Sequence, residues 1–189
     1  MANKTANAPI HALMAERWSP RSFSDQAVTE DQVVALLQAA RWSPSCFNDQ
    51  PWRFIVGLRG RGDGRHDQVM ACLNPGNRAW ADRAPLLLIA CATTQFRHNG
   101  QPNRWAAYDT GAAMMSLTLQ AQALGLHVHQ MGGFDVDAAR STFEIRDDIQ
   151  PMAAAAIGYR DNDISHLPEW ASERESAPRE RLTLDDLLL

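Results

Sequence analysis

The sequence predicts an α+β layered domain, and three observations carry that expectation. Helical and strand-like patterns alternate along the chain, but only about four strand-like runs are visible. One helical pattern, residues 105–124, is much longer than any other. The strongest strand candidate, "PLLLIACAT" at 85–93, is a continuous apolar run of the kind found in buried strands. Together these suit stacked layers better than a regular doubly wound sheet.

Taken in order, residues 8–18 place Ile10, Leu13, Met14 and Trp18 at helical spacing. "TEDQ" at 29–32 reads as a capping box, with Thr29 as cap and Gln32 reaching back to its amide. The helix that follows turns Val33, Leu36, Leu37 and Ala40 inward, and Pro44 marks its end. "WRFIVG" at 52–57 is a strand candidate, followed by a Gly/Arg loop and a short helical stretch near 66–73. After the strand at 85–93 comes the long helix over 105–124. It is apolar or small on most sides, which predicts deep burial, and Gly125 suits its C-terminal cap. "LHVHQM" (126–131) and "MAAAAIGY" (152–159) read as two further strands, with a short helix over 135–144 between them. The tail from 160 is polar and mixed in charge, and its apolar end, Leu187–Leu189, is expected to dock.

A chain of 189 residues with formal charge −4 fits one domain, residues 1–189, with a sizeable core. No apolar run approaches the ~20 residues of a membrane helix. His11 and Glu16 interrupt the early apolar residues, so no signal-peptide core is expected. Cys46, Cys72 and Cys91, odd in number and widely spaced, suggest reduced thiols and a cytoplasmic protein. The mildly acidic balance argues against a dedicated nucleic-acid binder.

Several short motifs carry possible chemistry. "ERWSPRSF" (16–23) brings Arg17, Ser19 and Arg21 within five residues, a set that suits a phosphate and a second anionic centre. "PRER" (178–181) gives a second pair, Arg179 and Arg181, that shares a face if extended. Each cluster alone reads more readily as a solvated, charged surface than as an anion site. "GLRGRGDGR" (57–65) fails the dinucleotide spacing, because Arg65 stands where a glycine is needed, and reads as a surface loop. His127 and His129 share one side of a strand, yet lack the further ligands of a metal site. Cys46 has no base implied nearby and there is no nucleophile elbow, so covalent hydrolysis is disfavoured. Gly132–Gly133 after a strand either lets backbone amides approach a flat ligand or makes a simple turn.

The order of these motifs is more telling than any one of them. "RWSPRSF", then "SPSCFNDQPWRF", a long small-residue helix, "LGLHVHQMGGFD", "IGYR" and a late Arg-x-Arg together resemble the nitroreductase family of flavin enzymes, in its compact branch. The block Pro44, Ser45, Asn48, Gln50, Pro51, Trp52 is the most specific part, and the resemblance spans nearly the whole chain.

That resemblance implies a central, mostly antiparallel sheet flanked by helices, and an entwined homodimer with FMN at the subunit interface. It implies an NAD(P)H oxidoreductase that takes a hydride from NADH or NADPH at flavin N5. In a ping-pong cycle it would reduce a small-molecule acceptor: a nitroaromatic, a quinone or an activated alkene. Other enzymes on the same scaffold (enone or semialdehyde reductase, dehalogenase, dehydrogenase) and a non-catalytic flavin-binding module fit the same motifs.

By the same resemblance, Arg17, Trp18 (through its backbone), Ser19 and Arg21 form the first flavin motif. Arg17 and Ser19 hold the phosphate, and Arg21 stabilises the anionic reduced ring. Pro44, Ser45, Cys46 and Asn48 form the loop that a partner subunit lays over the flavin, with Cys46 and Phe47 on the substrate side. Gln130, Met131, Gly132 and Gly133 approach the ring near N5. Arg179 and Arg181 complete the phosphate site. No residue is assigned as an obligatory acid or base, and no metal is implied. Larger members carry Glu where Gly132 stands and often a hydroxyl residue at the position of Cys46. The region of Asn77 and Trp80 receives no assignment.

Overall fold

The computed structural model describes residues 10–189. Four strands form one sheet: β1 (Trp52–Leu58), β2 (Leu86–Thr93), β3 (His127–Met131) and β4 (Ile149–Gly158). Their order is β1-β2-β4-β3, and each neighbouring pair is antiparallel. The central strands carry the alanine- and leucine-rich runs, because a strand covered on both faces must be apolar on both. Every residue of β2 is buried. Pro151 cannot donate to the ladder, and the β2–β4 register slips beside it, between Ala90↔Ala153 and Cys91↔Pro151.

Alternate residues of the sheet feed two separate cores. Leu87, Ile89, Cys91, Ala154 and Ala156 pack on one face with α3 (Arg65–Cys72), α4 (Pro75–Ala81), α6 (Val136–Thr142) and α7 (Glu169–Ser176). Leu86, Leu88, Ala90, Ala155 and Ile157 face α2 (Glu30–Arg41) and α5 (Ala106–Ala123) on the other. The result is helix–sheet–helix, three layers with the sheet in the middle.

Local signals set the element ends. Thr29 and Gln32 make the reciprocal capping box of α2. Gly125, at φ 73, closes α5: its amide bonds Gln122 O and that of Leu126 bonds Ala121 O, a Schellman arrangement.

Four expectations need correction. The first helix, α1, covers only Ala12–Ala15, and Ile10 and Met14 are exposed; residues 8 and 9 lie outside the described residues. Pro20 disfavours helix at Ser19, and Trp18 is held elsewhere by a long-range hydrogen bond. Helix α2 ends at Arg41 with Leu37 only half-buried. Helix α5 is not buried on all sides, since Tyr108, Gly111 and Met115 face outward in the single chain. The tail leucines do not dock within the chain: Leu187, Leu188 and Leu189 are exposed. Helices α4 and α7 were not foreseen, their sequences being short and polar.

Candidate functional site

The two arginine motifs meet. Arg17, Trp18, Ser19 and Arg21 line a cavity of about 290 Å³ together with Arg179 and Arg181. His129, from β3, and Arg174, from α7, complete its wall. The segment 17–21 follows α1 as irregular chain, and 177–184 follows α7, so neither arginine pair rests on a regular element. Tertiary contacts fix them instead. Arg179 donates to the Arg17 carbonyl at 2.9 Å, and its guanidinium lies 5.5 Å from the centre of the Trp18 ring. Arg17 donates to Ser19 Oγ at 3.0 Å.

Positive charge is concentrated here and largely unpaired. Among the described residues, none of the five cavity arginines forms a salt bridge with a carboxylate side chain. Burial, and then the neighbouring Arg181 and Arg179, push the Arg17 pKa down. Burial lowers that of Arg21 as well, opposed by Glu175 and assisted by Arg174. Like charges held this close are destabilising unless an anion joins them. Guanidinium forks and a hydroxyl are the donor set a phosphate takes.

Behind this cavity the wall is aromatic. Trp80, fully buried, has its ring centre 4.5 Å from that of His129, and Arg21 lies over the indole at 5.9 Å. His129 sits 3.0 Å from the Pro20 carbonyl through Nδ1. A carbonyl only accepts, so Nδ1 carries the proton. Burial pushes the His129 pKa down to about 4. His127, also on β3, has its pKa lowered by burial, and its Nδ1 is buried without a partner among the described residues. No group of three potential metal-ligating residues occurs among the described residues.

The segment after β3 is held by a residue the sequence left unassigned. Asn77 Nδ2 donates to Gly133 O at 2.8 Å, and the Asn74 amide donates to the same oxygen at 3.1 Å. A Cβ at position 133 would lie 2.7 Å from the Asn77 amide nitrogen, so a larger residue there would displace the Asn77 carboxamide from this close approach. Around Gly132 the space is open. Met131 is buried and Gln130 exposed.

Residues 44–48 do not line the arginine cavity. They form a separate, strained loop. Phe47, Asn48 and Gln50 all adopt positive φ, at 54°, 52° and 53°. Non-glycine residues rarely do so, and strain of this kind clusters where function demands it. Two buried carboxylates pin the loop. Asp109 of α5 accepts from the Cys46 amide at 3.0 Å, and Asp49 accepts from the Arg97 amide at 2.8 Å. Ser45 Oγ accepts from the Gln50 amide, and Asn48 Oδ1 from the Gln50 side chain. Pro44 and Phe47 are exposed, with Phe47 edge-on to Phe96 at 5.7 Å. Asp49 and Asp109 gave no sequence signal beyond an aspartate in a loop and one on a helix.

Comparison with known proteins places this architecture. Residues 14–159 match the nitroreductase family. An uncharacterised 15.4 kDa protein of Mycolicibacterium smegmatis is 36% identical over 141 residues, covering 71% of this chain and 92% of that protein. A Streptomyces coelicolor protein with the provisional name NADH dehydrogenase/NAD(P)H nitroreductase is 30% identical over 166 residues, covering 77% and 82%. Among solved structures, one described as an oxidoreductase containing FMN superimposes with a TM-score of 0.90 at 33% identity, covering 100% of this chain and 95% of that one. With its antiparallel sheet between two helical layers and a match that spans most of its length, the chain belongs to the nitroreductase family.

Proposed function

We propose that the protein is an FMN-dependent oxidoreductase that draws electrons from NADH or NADPH and reduces nitroaromatics, quinones or activated alkenes by a ping-pong cycle. The observation that carries this reading is the cavity in which Arg17, Ser19, Arg21, Arg174, Arg179 and Arg181 converge, its arginines in no salt bridge with a carboxylate among the described residues. Its donor set fits the phosphate of FMN, and a structural relative is described as containing that cofactor. When bound, the isoalloxazine ring supplies hydride transfer.

The chain's own residues bind, orient and screen. Arg17, Ser19, Arg179 and Arg181 hold the phosphate, and Arg21 lends positive charge to the reduced ring. Gly132 and Gly133 let backbone come close to a flat ligand, with Asn77 fixing the second of them. Trp18 contributes its backbone and braces Arg179. The strained loop carrying Pro44, Ser45, Cys46, Phe47 and Asn48 does not line the cavity in the single chain, which supports its use across a homodimer interface. In that arrangement Cys46 and Phe47 face the acceptor.

The test is direct. The purified protein should show flavin absorption bands, lose them under nitrogen on addition of NADH or NADPH, and regain them with a quinone or nitroaromatic. A colourless protein that takes up no FMN sinks the proposal. A yellow protein that neither nucleotide bleaches removes the enzymatic part of it.

A further inference from the structure

Glu175, near the end of α7, is 5% exposed. Its carboxylate makes three contacts, two of them to residues of the arginine cavity's wall. Oε1 accepts from Trp18 Nε1 at 3.0 Å and Oε2 from the Arg21 backbone amide at 2.8 Å. The Arg160 guanidinium lies 3.6 Å from Oε1, and Arg160 also stacks on Trp18 at 5.5 Å. Trp18 and Arg21 bracket Ser19, and Arg17 directly precedes Trp18. One buried group thus ties both ends of the segment that carries the cavity's first donors. The segment needs such a tie, because it has no helix or strand of its own.

We propose that Glu175 is the positioning residue of the anion site: its buried carboxylate, anchored by Arg160, fixes the Trp18 indole and the Arg21 backbone so that Arg17 and Ser19, carried by the same segment, converge on the phosphate. The proposal rests on the phosphate reading of the cavity. It makes a sign prediction that separates geometry from charge. Replacing Glu175 by Gln removes a negative charge beside an anion site, which by electrostatics alone would strengthen phosphate binding. Gln also presents an N–H₂ group where Trp18 and Arg21 both need acceptors, so one of those donors is left unpaired and the segment is released.

Equilibrium binding of FMN and riboflavin to the full-length chain decides the matter, with Glu175→Gln, Trp18→Phe and Arg17→Ala measured beside the parent. Trp18→Phe keeps the ring and the carboxylate but deletes one of the two hydrogen bonds. Glu175→Gln should weaken FMN binding about tenfold while riboflavin affinity stays within about twofold. Trp18→Phe should shift FMN in the same direction by a smaller factor, and it carries the test if the Gln variant does not fold. Tighter FMN binding, or equal losses for both ligands, overturns the positioning role provided that Arg17→Ala is selective for FMN. If Arg17→Ala shows no such selectivity, the phosphate assignment fails and the proposal falls with it.

Discussion

Arg17 and Arg179 stand 162 positions apart, yet the side chain of one bonds the backbone of the other. That contact shows how the site is built, from charged residues that repel and are held by neutral or acidic neighbours. Arg21 is the residue whose charge has the clearest chemical use in the proposed reaction. Arg21→Gln should leave FMN bound but lower the flavin midpoint potential, because a cation stabilises the reduced anion more than the neutral oxidised ring. Spectroelectrochemistry of both forms checks this, and an unchanged potential with flavin retained would assign Arg21 elsewhere. His129 sets a pH limit. Burial holds its pKa at about 4 against an ordinary 6.5, so in the acid range the unfolded chain takes up a proton that the folded chain refuses. Stability is therefore full above pH about 6.5 and falls as the pH drops toward about 4, by up to about 3 kcal/mol from this group. His127 is shifted in the same direction. Urea midpoints at several pH values, compared with those of His129→Leu, should show a shallower acid loss in the variant. Parallel curves would exclude His129 as the cause.

The loop between α2 and β1 has a different economy. Three residues at positive φ, each costing about 1–2 kcal/mol relative to ordinary backbone, persist only because neighbours over-determine them. Asp49, 3% exposed, accepts from the Arg97 amide and the Asn103 side chain, tying the loop to the turn after β2. Asp49→Ala leaves the buried Asn103 donor and the Arg97 amide unpaired and should cost about 1–3 kcal/mol, felt first as local opening. Amide hydrogen exchange should quicken over residues 45–50 and 96–98, while β2 and β4 keep their protection. Unchanged exchange in the loop would mean that Asp49 does not hold it.

A single chain of this shape leaves much apolar surface in water. Tyr108 is 76% and Met115 39% exposed along one face of α5, and Trp42 and Phe47 are 81% and 78% exposed nearby in sequence to the pinned loop. Monomers rarely present so many large apolar groups, and the exposed tail leucines add to them. The proposed homodimer would cover α5 and so account for the small residues there. Gly111 gives a clean probe, since a Cβ at that position meets nothing within 4 Å in its own chain. Gly111→Arg should preserve the fold and the far-ultraviolet circular dichroism, yet yield a one-chain mass by light scattering and lose flavin. A variant that stays two-chain with flavin bound would place the interface elsewhere.

Much of this was open to a reading of the residues alone. The strands, the capping box at Thr29, the Gly125 stop and the two arginine motifs are local signals, encoded by periodicity, capping chemistry and charge within a few positions. What they could not convey is convergence. Nothing near Glu175 in the sequence marks it as the tie for Trp18 and Arg21, because its partners are more than 150 positions away. Asn77 acquires a role only where Gly133 is folded against α4, and His129 becomes an uncharged residue only once Trp80 and the sheet exclude water from it. The outward face of α5 was misjudged for the complementary reason. Composition reports that a helix is apolar, whereas which side its own chain covers depends on how the layers stack. The sequence by itself determined the four strands, the main helices and the chemistry available to the site. The tertiary structure decided which of those groups meet, and convergence, with Glu175 buried and Arg17 and Arg21 half-buried, is what turns scattered arginines into a candidate anion site.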